Sequence, residues 1–397
     1  MDIFGSKEKN RRFYLNYTVF LMNGMLALSI GSLLPFIRDA NGLAYAFCGM
    51  IVSLHSVGNL VSSFTAGALP ALIGKKKSIL LFNSFFAAAY LLIIFGGSPL
   101  SMALAFFMTG LARGATSNFC NKAVNGLAPG KAWIINGLHA MFSVGAFLFP
   151  ILLTVFTMHD GSRWIYACYF MFAMGILSWI LFFLMPAEEQ EEESAPEEKK
   201  GFGFFREPLF YICIAVLFFY LCAEQGVIGW MITYFKDTGL LNPALSQITA
   251  SVLWIMILLG RLTTAWLSTK VKKEKLLPVM GAGLLIFFFI LIVSRSTGWI
   301  IFGIMGFGYS MAGIYPTTVS FTGILIQRYK MAWSFILTSA SLGSILMPSV
   351  IGRIAERAGI FYGMSSIAVV LVVDMLAILV LTGYASRKEK ECREAEK

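Results

Sequence analysis

Charged residues are scarce in this chain. Asp, Glu, Lys and Arg make up 13% of its 397 residues, against roughly 25% in a soluble globular domain. An ordinary soluble fold is therefore not expected. Histidine occurs three times and cysteine six times, and the cysteine spacings match neither a zinc site nor a disulfide framework. The chain contains no HExxH, Walker A, GxSxG or GxGxxG pattern, so ATP-driven work and the common hydrolytic sites lack their signatures. No metal, no cofactor and no enzymatic activity are expected. Period-two alternation is also missing, which argues against a membrane β-barrel. The first apolar run lacks the short core and cleavage site of a signal peptide and should be a retained span.

Apolar residues fill the space that charge leaves. The hydrophobic fraction is 58% and the mean hydropathy +0.76. Twelve apolar runs, at about 13–37, 44–72, 78–96, 98–126, 133–157, 163–185, 208–235, 244–268, 275–294, 297–326, 331–355 and 362–384, reach the about 20 residues that a helix needs to cross a bilayer. The fold class expected is an all-α membrane protein with twelve transmembrane helices.

Basic residues set the orientation. With the N-terminus inside, 22 of the 31 Lys and Arg fall in cytoplasmic segments and 5 in outer loops. Both termini are therefore expected in the cytoplasm of a cell (inner or plasma) membrane. The net charge of +10 then reflects topology and contact with anionic membrane lipids. No nucleic-acid partner is expected, because the basic residues are scattered over short loops.

The stretch PAEEQEEESAPEEKKGFGFFRE, 186–207, is polar and rich in Glu, and reads as a cytoplasmic linker. It divides the chain into an N-terminal six-helix bundle, 1–185, and a C-terminal bundle with a short cytoplasmic tail, 208–397. The halves resemble each other. SVGAFLFP (143–150) and SLGSILMP (341–348) align at an offset of 198, which also pairs Gly31 with Gly229, Gly110 with Gly308, and Gly161 with Gly359. A fixed offset through several spans argues for duplication, with two bundles related by a pseudo-twofold axis and a solute site near the midplane.

Two bundles of six, a long linker and paired basic loops after spans 2 and 8 resemble the major facilitator superfamily. The stretch GALPALIGKK, 67–76, is similar to that family's loop motif at Gly67, Gly74, Lys75 and Lys76, but Ala71 and Leu72 stand where the motif has its acid and first base. A second partial match, GRIAERAG, lies at 352–359. The fourth, fifth, seventh and tenth spans (GLARGATSNFCNKAVNGLAP, NGLHAMFSVGAFLFP, AEQGVIGWMITYF and GFGYSMAGIYPT) resemble the fucose–proton symporter branch and related sugar carriers. The resemblance implies alternating-access transport of a small solute by a monomer. The acids those symporters carry in helices 1 and 4 correspond to Gly31 and Ser117 here, so coupling through those positions is not expected.

Of the 21 acidic residues only Glu224 and Asp374 lie well inside spans. Burying a carboxylate at midplane costs at least about 2.5–3.5 kcal/mol. The cost falls when the group is protonated, paired or wet. Helical spacing puts Tyr220, Glu224 and Met231 on one face, with Trp230 and Tyr234 around the same side. An acid among aromatic rings suits a sugar, whose CH faces stack and whose hydroxyls need acceptors. Gln225 points about 100° away. Helix 4 carries a polar arc of Ser117, Asn118, Asn121, Lys122 and Asn125, whose amides both donate and accept; small and polar residues also serve helix packing. Candidate lining residues are Asn23, Asn118, Asn121, His139, Glu224, Gln225, Trp230, Tyr234, Tyr309 and Tyr315. Glu224 and Arg113 are the candidates for proton coupling. Lys122 and Arg261 read as residues facing the cytoplasmic side, Asp374 as structural, and His55 as a second proton-shuttle candidate beside His139. The function expected is secondary transport of a small polar solute, best a sugar, with a proton as coupling partner. An efflux carrier for amphipathic drugs and a non-transporting receptor or scaffold are the rivals.

Overall fold

The computed structural model describes residues 4, 6–127, 132–186 and 202–395. Most of the linker, 187–201, lies outside the described residues. The described residues form helices and connecting turns, without strands. They divide into two compact units: unit 1 comprises 1–191 with 242–251, and unit 2 comprises 192–241 with 252–397.

Unit 1 is built on α1 (Lys7–Asn41), α2 (Tyr45–Ile73), α3 (Lys75–Phe95), α4 (Pro99–Leu127), α5 (Ala132–Thr157) and α6 (Trp164–Leu184). Helix α1 is its centre, since 94% of its most apolar window is buried, against 33% for the stretch containing α6. It packs mainly against α5 and α4, while α2 runs along α4. Glycine makes both approaches close. A Cβ on Gly110 would overlap the His55 carbonyl, and one on Gly24 the Phe142 carbonyl.

Unit 2 holds α7 (Pro208–Asp237), α8 (Pro243–Leu267) from residue 252 onward, α9 (Lys273–Val293), α10 (Thr297–Met311), α11 (Ile314–Phe321), α12 (Gly323–Arg328), α13 (Lys330–Ala358) and α14 (Ile360–Ala395). Helix α7 packs against α13 and α14. A Cβ on Gly308 would press on the Leu253 carbonyl. Gly308 and Leu253 each stand 198 residues beyond Gly110 and His55, so one contact recurs in both units at the offset that relates the sequences.

Eleven of the described helical stretches are long and apolar enough to cross a membrane. Helix α4 is as long, at 29 residues, but its polar arc lowers its hydropathy. The run 297–326, expected as one helix, is three: α10 ends at Met311 and α11 starts at Ile314. Pro316 explains the first break. It has no N–H to offer the Ala312 carbonyl four residues back, and its ring clashes there.

The basic loop after α2 has a structural task in place of the missing acid–base pair. The last carbonyls of a helix have no partner within it. At the end of α6, Lys76 Nζ donates to the carbonyls of Phe183 and Met185 at 2.6 and 2.7 Å, and Arg11 Nη2 to that of Leu184 at 3.0 Å. Lys273, 197 residues beyond Lys76, donates to the Ser320 carbonyl at 3.0 Å.

Candidate functional site

In unit 1 polar residues of α1 and α4 pair with each other, and His139 and Arg113 stand beside two phenylalanines. Asn23 on α1 is 2% exposed. Its Nδ2 donates to Ser117 Oγ on α4 at 2.9 Å, and its Oδ1 is buried without a hydrogen-bond partner. The acceptor left over on Asn23 is a group that a hydroxyl could satisfy. The His139 ring stands edge-on to Phe20, with centroids 5.4 Å apart. Phe20 in turn lies 5.7 Å from Phe142, and the Arg113 guanidinium sits 6.0 Å from the Phe142 ring. Asn23 is thus joined to Ser117, while His139 and Arg113 each stand beside one ring of the Phe20–Phe142 pair.

The other candidates of unit 1 divide. Asn121, one turn beyond Ser117, donates to the Ser117 carbonyl at 2.7 Å and is half-buried. Asn118 is exposed and donates to the Ser63 carbonyl on α2 at 3.1 Å, so it lies on the α2 side of the arc. Lys122 is exposed. His55 is buried, with Nδ1 2.9 Å from Thr109 Oγ1. The Thr109 proton is committed to the Phe106 carbonyl at 2.6 Å. His55 Nδ1 must then be the donor, which fixes its tautomer within the α2–α4 packing.

In unit 2 the Tyr220 hydroxyl donates to Glu224 Oε1 at 3.2 Å, across one turn of α7. The Tyr315 ring on α11 lies 6.2 Å from the Tyr220 ring. Arg261 on α8 is exposed. Glu224 and Gln225 are both half-buried. Trp230 and Tyr234 belong to the interior of the unit. Both are 0% exposed; Trp230 Nε1 donates to the Pro348 carbonyl at 3.1 Å, and the Tyr234 hydroxyl to that of Ile292 at 3.5 Å. Tyr309 is exposed on α10. Unit 2 thus joins Tyr220, Glu224 and Tyr315, and sets Trp230 and Tyr234 apart from them. Among the described residues no group of three or more His, Cys, Asp and Glu could hold a metal ion.

Twelve-span composition, a repeated helix contact and polar clusters on membrane-spanning helices describe a solute carrier. The profile of the Major Facilitator Superfamily matches residues 17–327. The chain belongs to that superfamily. This transporter is 20% identical over 365 residues to the protein TsgA homolog of Yersinia enterocolitica, covering 89% of this chain and 91% of that one. It is 22% identical over 386 residues to the glucose/mannose transporter GlcP of Bacillus subtilis, with coverage of 91% and 92%. A solved bacterial homolog of the human lysosomal transporter Spinster superposes with a TM-score of 0.79 at 14% identity, covering 95% of this chain and 97% of that one. The superfamily's members carry solutes, and this protein is a membrane transporter with no enzymatic step.

One feature of the clusters escapes a reading of the sequence alone. Ser117 is the partner of Asn23, although periodicity shows only that it belongs to the arc of α4.

Proposed function

We propose that this transporter carries a sugar or sugar-like polyol across the cell membrane by alternating access, in symport with a proton and as a monomer. Both termini and the linker 186–207 face the cytoplasm in this reading, and the basic loops touch anionic lipid. The observation that carries it is the acid–aromatic cluster of unit 2, where Tyr220 holds Glu224 beside Tyr315. A carboxylate with rings beside it matches the two faces of a sugar, hydroxyls and CH groups. The Asn23–Ser117 pair, with its unsatisfied acceptor, adds a second place where a hydroxyl would be held. The name of the glucose/mannose relative points to the same class.

Glu224 is the coupling group in this reading. A carboxyl group that alternates between wet and dry surroundings alternates between charged and neutral. Such a change would couple proton occupancy to solute occupancy. Glu224→Gln keeps the size and the hydrogen bonds but fixes the group as neutral. Reconstituted in liposomes with D-glucose as probe, this variant should retain counterflow exchange and lose accumulation driven by a pH gradient. Accumulation with the wild-type pH dependence would remove Glu224 from the coupling step. Loss of both activities would make it a solute ligand and leave the proton reading unsupported.

A further inference from the structure

A 3-10 turn, Gly203–Arg206, stands one residue ahead of α7, and α7 is long and apolar enough to cross a membrane. The turn therefore lies where unit 2 meets the membrane surface. With its capping residue Phe202 it carries three phenylalanines on two faces. Side chains three residues apart eclipse in a 3-10 turn, so Phe202 and Phe205 share a side that Phe204 does not. Their rings stack, with centroids 6.2 Å and planes 14° apart.

Phe204 faces the protein. It is 0% exposed, and its ring lies 5.0 Å from that of Phe210 on α7, 5.5 Å from Phe335 on α13 and 6.0 Å from Tyr329 between α12 and α13. Gly203 lets the turn settle there, since a Cβ on it would press on the Tyr329 hydroxyl. The other two rings face outward: Phe202 is 60% exposed and Phe205 41%.

The backbone beneath these rings points to lipid. The carbonyls of Phe202, Phe204 and Glu207 accept from the amides of Phe205, Glu207 and Phe210 at 3.2, 3.1 and 3.0 Å. The Phe205 carbonyl accepts from the Tyr211 hydroxyl at 3.0 Å, and Tyr211 is itself 53% exposed. In water such carbonyls need no protein partner, whereas in lipid each unbonded one is costly. Arg206 is exposed beside them. Aromatic rings with a long cation at the start of a span are the composition of a membrane interface.

We propose that this turn is a lipid anchor of unit 2. Phe202, Phe205 and Tyr211 lie at the boundary between headgroups and acyl chains, Arg206 reaches the lipid phosphates, and Phe204 ties the turn to α7 and α13. The anchor holds the end of the linker on the membrane surface.

Spin labels read the depth of the two rings. Phe202→Cys and Phe205→Cys are made singly in a Cys392→Ser background, where the remaining cysteines, Cys48, Cys120, Cys168, Cys213 and Cys222, are buried. Each is labelled with a nitroxide and reconstituted in vesicles of phosphatidylcholine and phosphatidylglycerol. Lys390→Cys is the reference in water, since Lys390 is exposed on the part of α14 beyond its membrane-spanning stretch. Collisions are measured with a nickel chelate, which stays in water, and with oxygen, which concentrates in lipid. Burial of one phenylalanine favours lipid over water by about tenfold or more. Nickel collisions at 202 and 205 should therefore be about tenfold rarer than at 390, and oxygen collisions more frequent. Nickel rates equal to that at 390 would put the rings in water and overturn the anchor. Low rates with both reagents would overturn it too, because protein, a second copy or the linker, would then cover the rings. Phe202 and Phe205 are surface positions, so neither substitution threatens the fold. The result depends on no solute and no coupling proton, and failure of D-glucose transport would leave it standing.

Discussion

The carboxyl group of Asp374 lies on α14, 1% exposed, with Oδ1 buried and unbonded. Its helix packs against α7 and α9. A buried acceptor without a partner costs about 1–3 kcal/mol, and an apolar replacement of similar size removes that cost. Asp374→Leu should therefore raise the thermal unfolding temperature in detergent, and a drop would reveal a bond that this carboxyl makes. At this scale the sequence was legible only in part. Periodicity correctly joined Tyr220 to Glu224, because both lie on one helix four residues apart. It grouped Asn118 with Asn121, and Trp230 and Tyr234 with Glu224, yet the structure separates them. A wheel gives the angle between side chains but not which neighbouring helix fills each sector.

Glycine positions decide how helices approach, and they permit a paired prediction on α4. A Cβ on Gly110 would overlap the His55 carbonyl, whereas one on Gly126 would meet nothing within 4 Å. The same Gly→Ala change should act oppositely at the two sites. At Gly126 it should be neutral or stabilising by up to about 1 kcal/mol, because alanine is the better helix former. At Gly110 the backbone of α2 must move away, at about 1–3 kcal/mol. Thermal unfolding of the two variants, compared with the parent, measures the contrast, and equal shifts would contradict the close α2–α4 contact. The elements themselves were largely legible, since a run of 20 or so apolar residues in a bilayer can only be a helix. The break between α10 and α11 was also encoded, in Pro316, but a window of hydropathy averages over a single proline.

For the whole molecule, the repeat and the charge distribution were the strongest signals. The offset of 198 that aligns SVGAFLFP with SLGSILMP also relates the His55–Gly110 and Leu253–Gly308 contacts. At the same offset Asn118 and Asn121 correspond to Pro316 and Val319, so the repeat is carried by glycines and backbone approaches and not by these polar residues. Orientation rests on charge alone, through the 22 basic residues assigned to one side against 5 on the other. That bias acts on short loops as the chain inserts, and reversing it would carry most of the cations across the bilayer. Lys76 and Arg11, which cap the end of α6, would go with them, and so would the acidic linker. A variant in which Ser194→Cys supplies the single cysteine should therefore resist an impermeant maleimide in intact cells and react once the membrane is opened. Rapid labelling in intact cells would place the linker outside. The basic loops would then face outward with it, and the direction assigned to every span would have to be reversed.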